Sequence, residues 1–318
     1  MAESAKQMIE RRTIVIDTDP GQDDAVAILL ALALPDRFDV RAITAVAGNV
    51  PVALTAANAL RIVELAGRGD VPVYAGCAAP MILPLETAEY ICGADGLDGS
   101  GLPPPIGRLA AGHAVEALIA LLRAAATGGV TLCALGPLTN IALALRLAPD
   151  IADRIDHIVV MGGALGLGNI TPAAEFNIYV DPHAAAVVLG AGVKVTLIGL
   201  HLTLRAVAEP AHLARLQALG SRTGRAVHGM LARPRAGGLG GDGHPMHDVC
   251  VVGYLAWPEL FGGRECFVEV ETASGSQRGR TTIDWNGRLR RPANCRVLDT
   301  IEAGPFFDRM IDALSVLP

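Results

Sequence analysis

The 318-residue chain carries a net charge of −6 with its basic residues scattered, so it lacks the continuous positive surface that a phosphate backbone requires. Hydrophobic residues make up 51% and charged residues 18%, which excludes a disordered chain and predicts a sizeable core. The opening MAESAKQMIERR is polar, no apolar run approaches the roughly 20 residues of a membrane span, and the six cysteines form no CxxC pair, so a reducing, cytoplasmic setting is expected.

The β-branched run Thr13-Ile14-Val15-Ile16 predicts a short buried strand, stopped by the turn residues Pro20-Gly21. The apolar AVAILLALAL beyond it predicts a helix with Asp23 and Asp24 in its first turn. Exposed backbone N–H groups favour negative charge there by roughly 0.3 to 1 kcal/mol per group, so one acid would be a simple cap. Asp17, Asp19, Asp23 and Asp24 put four carboxylates within eight positions, which is more than capping requires. Like charges gathered this closely hold either protons or a cation, and oxygen ligands alone point to Ca²⁺ or Mg²⁺ rather than zinc.

Further strands are predicted near residues 40–46, 71–74, 130–135, 155–161 and 193–199, alternating with helices near 51–66, 111–126, 141–148 and 210–218. This alternation predicts an α/β fold, an open and mostly parallel sheet with helices on both faces, whose ligands bind beyond the carboxyl ends of the strands. Asp17, Asp19, Asn49, the Leu135 carbonyl and Met161 all fall at or just after strand ends and should gather at one edge. Residues 76–105 form a long glycine- and proline-rich segment containing ICGADGLDGSG, a length that points to function.

Asn169, Glu175 and Asn177 lie in a polar stretch before Asp181-Pro182-His183, which reads as a capped helix entry. Amides beside a carboxylate suit a hydroxyl-rich ligand, because they donate and accept in fixed directions. Residues 220–245 are expected to be the least regular part, a mobile lid. His247 and Asp248 open an apolar helix, residues 266–272 and 280–285 pair as a β-hairpin, and residues 305–314 form a closing helix. With no repeat or linker in view, residues 1–318 are expected to make one domain, with 1–12 a flexible N-terminus.

Taken together, DTDPGQDDAVAILL, the AGN that ends the second strand, LGPLTNIALAL, VVMGGA, NITPAAEFNIYVDP and MHD resemble the nucleoside hydrolases, the inosine-uridine preferring nucleoside N-ribohydrolases. The resemblance runs in the same order over about residues 13–250. It implies a Rossmann-like nucleoside hydrolase fold with one Ca²⁺ at the strand ends, held by Asp19, Asp24, the backbone carbonyl of Leu135 and Asp248. It further implies that Asp23, Asn49, Asn169, Glu175 and Asn177 grip the ribose hydroxyls, that Met161 lines the same pocket and that Asp17 either supports the metal ligands from behind or is structural.

The implied activity is calcium-dependent hydrolysis of the N-glycosidic bond of ribonucleosides to ribose and free base. Asp19 would activate a water held by the metal, and His247, next to Asp248, would protonate the departing base. Cys92 stands where many members carry a histidine, and it is read either as a contact to the base or as a packed thiol with no chemistry. The implied partners are a ribonucleoside and further copies of the chain, as a homodimer or homotetramer. Two rival readings are weaker. A haloacid-dehalogenase-like phosphatase would use Asp17 as nucleophile but needs a later lysine, and Lys194, opening a strand, lacks the setting. A ribonucleoside-binding protein without turnover would be expected to have lost Asp19.

Overall fold

The computed structural model describes residues 11–232 and 243–318. The β-branched run enters the interior as β1 (Arg12–Thr18), and α1 (Gln22–Ala33) follows through Gly21 with all its residues buried. Its sequence has no polar face beyond the first turn, so only a position enclosed on every side suits it.

The chain continues through β2 (Phe38–Ala45), α2 (Val52–Leu65), β3 (Val73–Ala75), the single turn α3 (Glu89–Cys92), α4 (Ala114–Ala124), β4 (Val130–Ala134) and α5 (Thr139–Leu147). Next come β5 (Ile155–Met161), α6 (Phe176–Val180), α7 (Pro182–Leu189), β6 (Val195–Ile198), α8 (Leu200–Thr203), β7 (Val207–Ala208), α9 (Pro210–Ala218) and α10 (Arg222–Leu231). The last part holds β8 (His244–Pro245), α11 (Val249–Ala256), β9 (Phe261–Cys266), β10 (Val268–Val270), β11 (Thr281–Ile283), β12 (Cys295–Ile301) and α12 (Ala303–Leu314).

Among the described residues the main sheet has eight strands in the order β3-β2-β1-β4-β5-β6-β12-β9, all parallel except β9. The chain builds outward from β1 to β3, then returns to lay β4 on the other side of β1. The strand order therefore reverses between β1 and β4, and the crevice at their carboxyl ends is where such sheets bind ligands. Leu135 N donates to the Asp17 carbonyl across that seam at 2.8 Å.

Alternation along β1 sorts the two apolar layers. Ile14 and Ile16 pack with α1, α2, α11 and α12, while Val15 points to the opposite layer with α4, α5 and α7. β10 and β11 form the expected antiparallel hairpin. No helix among the described residues is long and apolar enough to cross a membrane.

The structure departs from the sequence reading at three places. Residues 222–231, expected to be irregular, form α10, because Thr223, Val227 and Met230 recur on one face and bury there, and Ser221 Oγ caps the helix by accepting from Gly224 N at 3.0 Å. The rest of the expected lid, residues 233–242, lies outside the described residues. So do residues 1–10 of the expected flexible N-terminus, whereas Arg12 already pairs with Phe38. The sequence pattern also does not announce β9 or β12. β9 is an edge strand interrupted by Gly262 and Gly263, and a Cβ at Gly263 would collide with the Val297 carbonyl, so close backbone approach replaces hydrophobic alternation there.

A buried histidine makes stability depend on pH. His157 on β5 is 3% exposed, with Nε2 2.8 Å from Thr196 Oγ1. Burial, reinforced by Lys194, lowers its pKa from 6.5 to about 4. Between these values the unfolded chain binds a proton that the native one does not, so stability rises with pH across this window and is lost as pH falls through it. The loss at the acid end is on the order of 2 to 3 kcal/mol. In urea unfolding at pH 4.5 and 7, His157→Gln should flatten this part of the profile; a slope unchanged from the parent would exclude His157 as its source.

Candidate active site

Pro20-Gly21 turns the chain so that α1 starts beside the end of β1. Asp24 then caps its own helix: Oδ2 accepts from Gly21 N at 3.0 Å and Oδ1 from Thr18 Oγ1 at 2.6 Å. Capping accounts for that residue only. Asp23, Asp24 and Asp248 are all buried and each offers a carboxylate oxygen, the three lying within 4.8 Å of one another. His247 N donates to Asp23 Oδ2 at 3.2 Å, which seats the start of α11 on the first turn of α1.

Asp19 is buried beside this trio. Its Oδ2 accepts from Asn49 N at 2.7 Å, while Oδ1 is buried with no hydrogen-bond partner. The carboxylate stands between Gly48 and Gly136, and a Cβ at either would collide with one of its oxygens. Burial first, and the Asp24 charge second, hold the Asp19 pKa well above the usual range. Burial and then Asp23 raise that of Asp24, and burial followed by Asp23, Asp24 and Asp19 raises that of Asp248 well above its ordinary value. The charges acting on these groups are one another's.

Asp17 belongs to a different network. Its Oδ2 accepts from Thr44 Oγ1 at 2.6 Å and Asn140 Nδ2 at 2.8 Å, tying β1 to β2 and α5. Burial lifts its pKa to about 7, and its Oδ1 is buried without a hydrogen-bond partner.

Asn49 joins the acidic turn to the far wall. Its Nδ2 lies 3.1 Å from the Asp19 carbonyl and 3.3 Å from Asp24 Oδ2, and Cys92 Sγ is 3.5 Å from its Oδ1. Across the crevice, Glu175 caps α6, accepting from Asn177 N at 3.0 Å and Ile178 N at 3.3 Å, and it also accepts from Gly163 N at 3.0 Å. Burial raises its pKa to about 7. Asn177 Nδ2 donates to the Leu135 carbonyl at 2.6 Å and the Met161 carbonyl at 3.2 Å, bridging the ends of β4 and β5. Asn169 Oδ1 accepts from Phe176 N at 2.9 Å.

These residues surround one cavity, open on one side, of about 250 Å³. Asp23, Asn49, Cys92, Leu135 and Met161 line it, together with Asn169, Glu175, Asn177, His247 and Asp248. Asp19 and Asp24 are not part of the wall and meet it through Asn49 and Asp248. The closest carboxylate trio contains Asp23 where the resemblance implied Asp19.

Sequence reasoning missed the apolar half of the lining, which includes Tyr90, Ile91, Phe176, Leu200 and Leu204. Phe176 sits inside the AEFN motif, and Leu200 follows the end of β6, so the strand-end rule that singled out Met161 would have found it too. Tyr90 and Ile91 fall in a long segment without periodicity. Thr203 was also missed; its Oγ1 lies 2.7 Å from His247 Nδ1.

Fold and cavity together describe an α/β protein whose strand-end cavity is polar on one side and apolar on the other, beside a buried carboxylate cluster. The sequence profile of the inosine-uridine preferring nucleoside hydrolases matches residues 14–308, and the chain belongs to that family. Its reaction is therefore hydrolysis of the N-glycosyl bond of ribonucleosides, to ribose and base, and the phosphatase and binding-protein readings are not favoured.

The chain is 42% identical over 307 residues to the pyrimidine-specific ribonucleoside hydrolase RihA of Shewanella woodyi, covering 95% of this chain and 98% of that one. It is 41% identical over 305 residues to the non-specific ribonucleoside hydrolase RihC of Salmonella typhi, covering 96% and 98%. The purine-preferring ribonucleoside hydrolase from Gardnerella vaginalis shares the fold with a TM-score of 0.87 at 29% identity, over 96% of this chain and 98% of that one.

Proposed function

We propose that hydrolysis takes place in this cavity, with the ribose against its amide and carboxylate half and the base against its apolar half. Asp19 is the general base, and Asp19, Asp24, the Leu135 carbonyl and Asp248 hold one Ca²⁺. The observation that carries this reading is the Asp19 carboxylate, fully buried, with one oxygen unpartnered and other buried carboxylates around it. A cluster of this kind is strongly unfavourable unless a cation or protons complete it, and an all-oxygen donor set suits a hard divalent cation. When bound, Ca²⁺ supplies Lewis-acid chemistry, lowering the pKa of a neighbouring water and orienting it.

The residues of the chain do the rest. Asp23, Asn49, Asn169, Glu175 and Asn177 exchange hydrogen bonds with the ribose hydroxyls, and Met161 packs against the sugar. Asp19 accepts the proton of the water whose oxygen bonds to the anomeric carbon. The bond from that carbon to the base nitrogen breaks, and its electron pair leaves with the base. The surrounding carboxylates stabilise positive charge that develops on the sugar. His247, its ring held through Nδ1 by Thr203, donates a proton to the base, and Cys92 contacts the base.

The reading extends to one domain over residues 1–318 and to cytoplasmic salvage of purine and pyrimidine bases. Six buried cysteines outside any disulfide support a reducing compartment. The reading extends as well to association of the chain into a homodimer or homotetramer.

Incubation with inosine, uridine and a phosphate monoester should release ribose from at least one nucleoside and no phosphate. His247→Ala should slow inosine at least about 10-fold more than p-nitrophenyl riboside, whose phenolate leaves without protonation. If both substrates slow equally, His247 positions the sugar or the loop instead.

A further inference from the structure

Outside the cavity lining, one arginine from the hairpin touches two segments that contribute to that lining. Arg278 lies just before β11, and its side chain is only 12% exposed. Its guanidinium carbon sits 3.5 Å from the centroid of the Tyr179 ring, and Nη2 donates to Glu86 Oε1 at 2.7 Å. Tyr179 Oη donates to the same carboxylate at 3.2 Å. Three residues from three separate segments thus close a triangle in which each touches the other two.

Two corners of the triangle lead directly to the cavity. Tyr179 is on α6, where its N–H donates to the Glu175 carbonyl at 2.9 Å, two residues beyond Asn177. Glu86 precedes Ala88, whose N–H donates to the Asn49 carbonyl at 2.9 Å, and Ala88, Tyr90 and Cys92 line the cavity. The third corner is seated by Gly279, at φ +75°, where a Cβ would stand 2.5 Å from Tyr179 Cα. A cation over a ring and a charge-assisted hydrogen bond hold more firmly when partly removed from water than an exposed pair does.

We propose that Arg278 is a positioning residue for the hydrolysis: by clamping Tyr179 to Glu86, it sets the spacing between the Glu175–Asn177 wall and the 86–92 wall that receives the nucleoside. The proposal rests on the reading of the cavity as the nucleoside site. Without the clamp both walls still fold, but the receptive spacing is populated for a smaller fraction of the time, and apparent affinity falls by that fraction. Asp19 and Asp24 belong to the end of β1 and to α1, outside the triangle, so turnover at saturation changes least.

The test is steady-state kinetics with the best nucleoside, alongside thermal unfolding. Arg278→Met, which keeps the aliphatic stem, should raise KM about 5- to 20-fold while kcat stays within about 3-fold. Arg278→Lys should recover part of the loss, because an ammonium keeps the charge over the ring but not the fork. Glu86→Gln should raise KM less in the Arg278→Met background than in the parent, as members of one network do. Arg123→Ala, which breaks the exposed Arg123–Asp150 pair, should leave KM unchanged.

A clamp that is merely structural would lower Tm without moving KM, so Arg278→Met with KM within about 2-fold of the parent overturns the proposal, as does a lysine variant no better than methionine. Should Arg278→Met not fold, Glu86→Gln and Tyr179→Phe carry the same expectation and the same refutation. Failure of the unmodified chain to release ribose from any nucleoside sinks the reading of the cavity instead, and that is seen before any variant is made.

Discussion

Asp19→Asn is expected to lower kcat by about 10³- to 10⁴-fold while nucleoside binding falls far less. Asparagine matches the shape of aspartate, which matters here because Gly48 and Gly136 fence the side chain on two sides and Asn49 N needs an acceptor at the Oδ2 position. The substitution removes a charge that Asp24 already disfavours, so the variant should unfold at a temperature no lower than that of the metal-free parent. Kinetics, nucleoside titration and a thermal melt on one preparation separate these effects. A kcat within about tenfold of the parent would assign proton acceptance to another group. Asp17→Ala supplies the contrast: it removes the acceptor of a network joining β1, β2 and α5, so its first effect should be on stability.

Exhaustive chelation should abolish turnover and lower Tm by several degrees, with both restored by added Ca²⁺. The oxygens of Asp23, Asp24 and Asp248 converge within 4.8 Å, and Asp19 holds one more oxygen without a partner. A cation that binds the native state and not the unfolded one contributes about 4 kcal/mol when present at 1,000 times its Kd. Asp248→Asn should weaken that restoration, because its carboxylate comes from the residue before α11 rather than from the acidic turn and no neighbour in sequence replaces it. Elemental analysis accompanies the assay, and a fully active preparation with less than about 0.1 metal ion per chain would refute the metal reading.

The acidic run shows how far local chemistry reaches. Four carboxylates between a β-branched run and an apolar run mark a strand, a turn and a helix start, and mark a charge problem, without reference to any other part of the chain. The apolar periods likewise determine an alternating α/β order, and hence a parallel sheet with its polar strand ends at one edge, because side-chain direction follows from backbone period alone. The AEFN and MHD motifs could be assigned to a site because their resemblance covers the chain in order.

How the charges are divided is a tertiary matter. Asp24 proves to be a helix cap as well as a member of the cluster, Asp17 turns away to Thr44 and Asn140, and Asp248 arrives from the far end of the chain as His247 N bonds to Asp23. Nothing in the spacing of Asp17, Asp19, Asp23 and Asp24 distinguishes these fates, since each depends on what packs against the turn. The same reason hides the apolar half of the cavity, the edge strand β9 and the Glu86–Tyr179–Arg278 triangle, whose members are 93 and 192 residues apart from Glu86 in sequence. Sequence determined the kinds of element and the chemistry available at their ends; only folding decided which ends meet, because burial and partner distance, not residue type, set whether a carboxylate caps a helix, shares a proton or stands open to a cation.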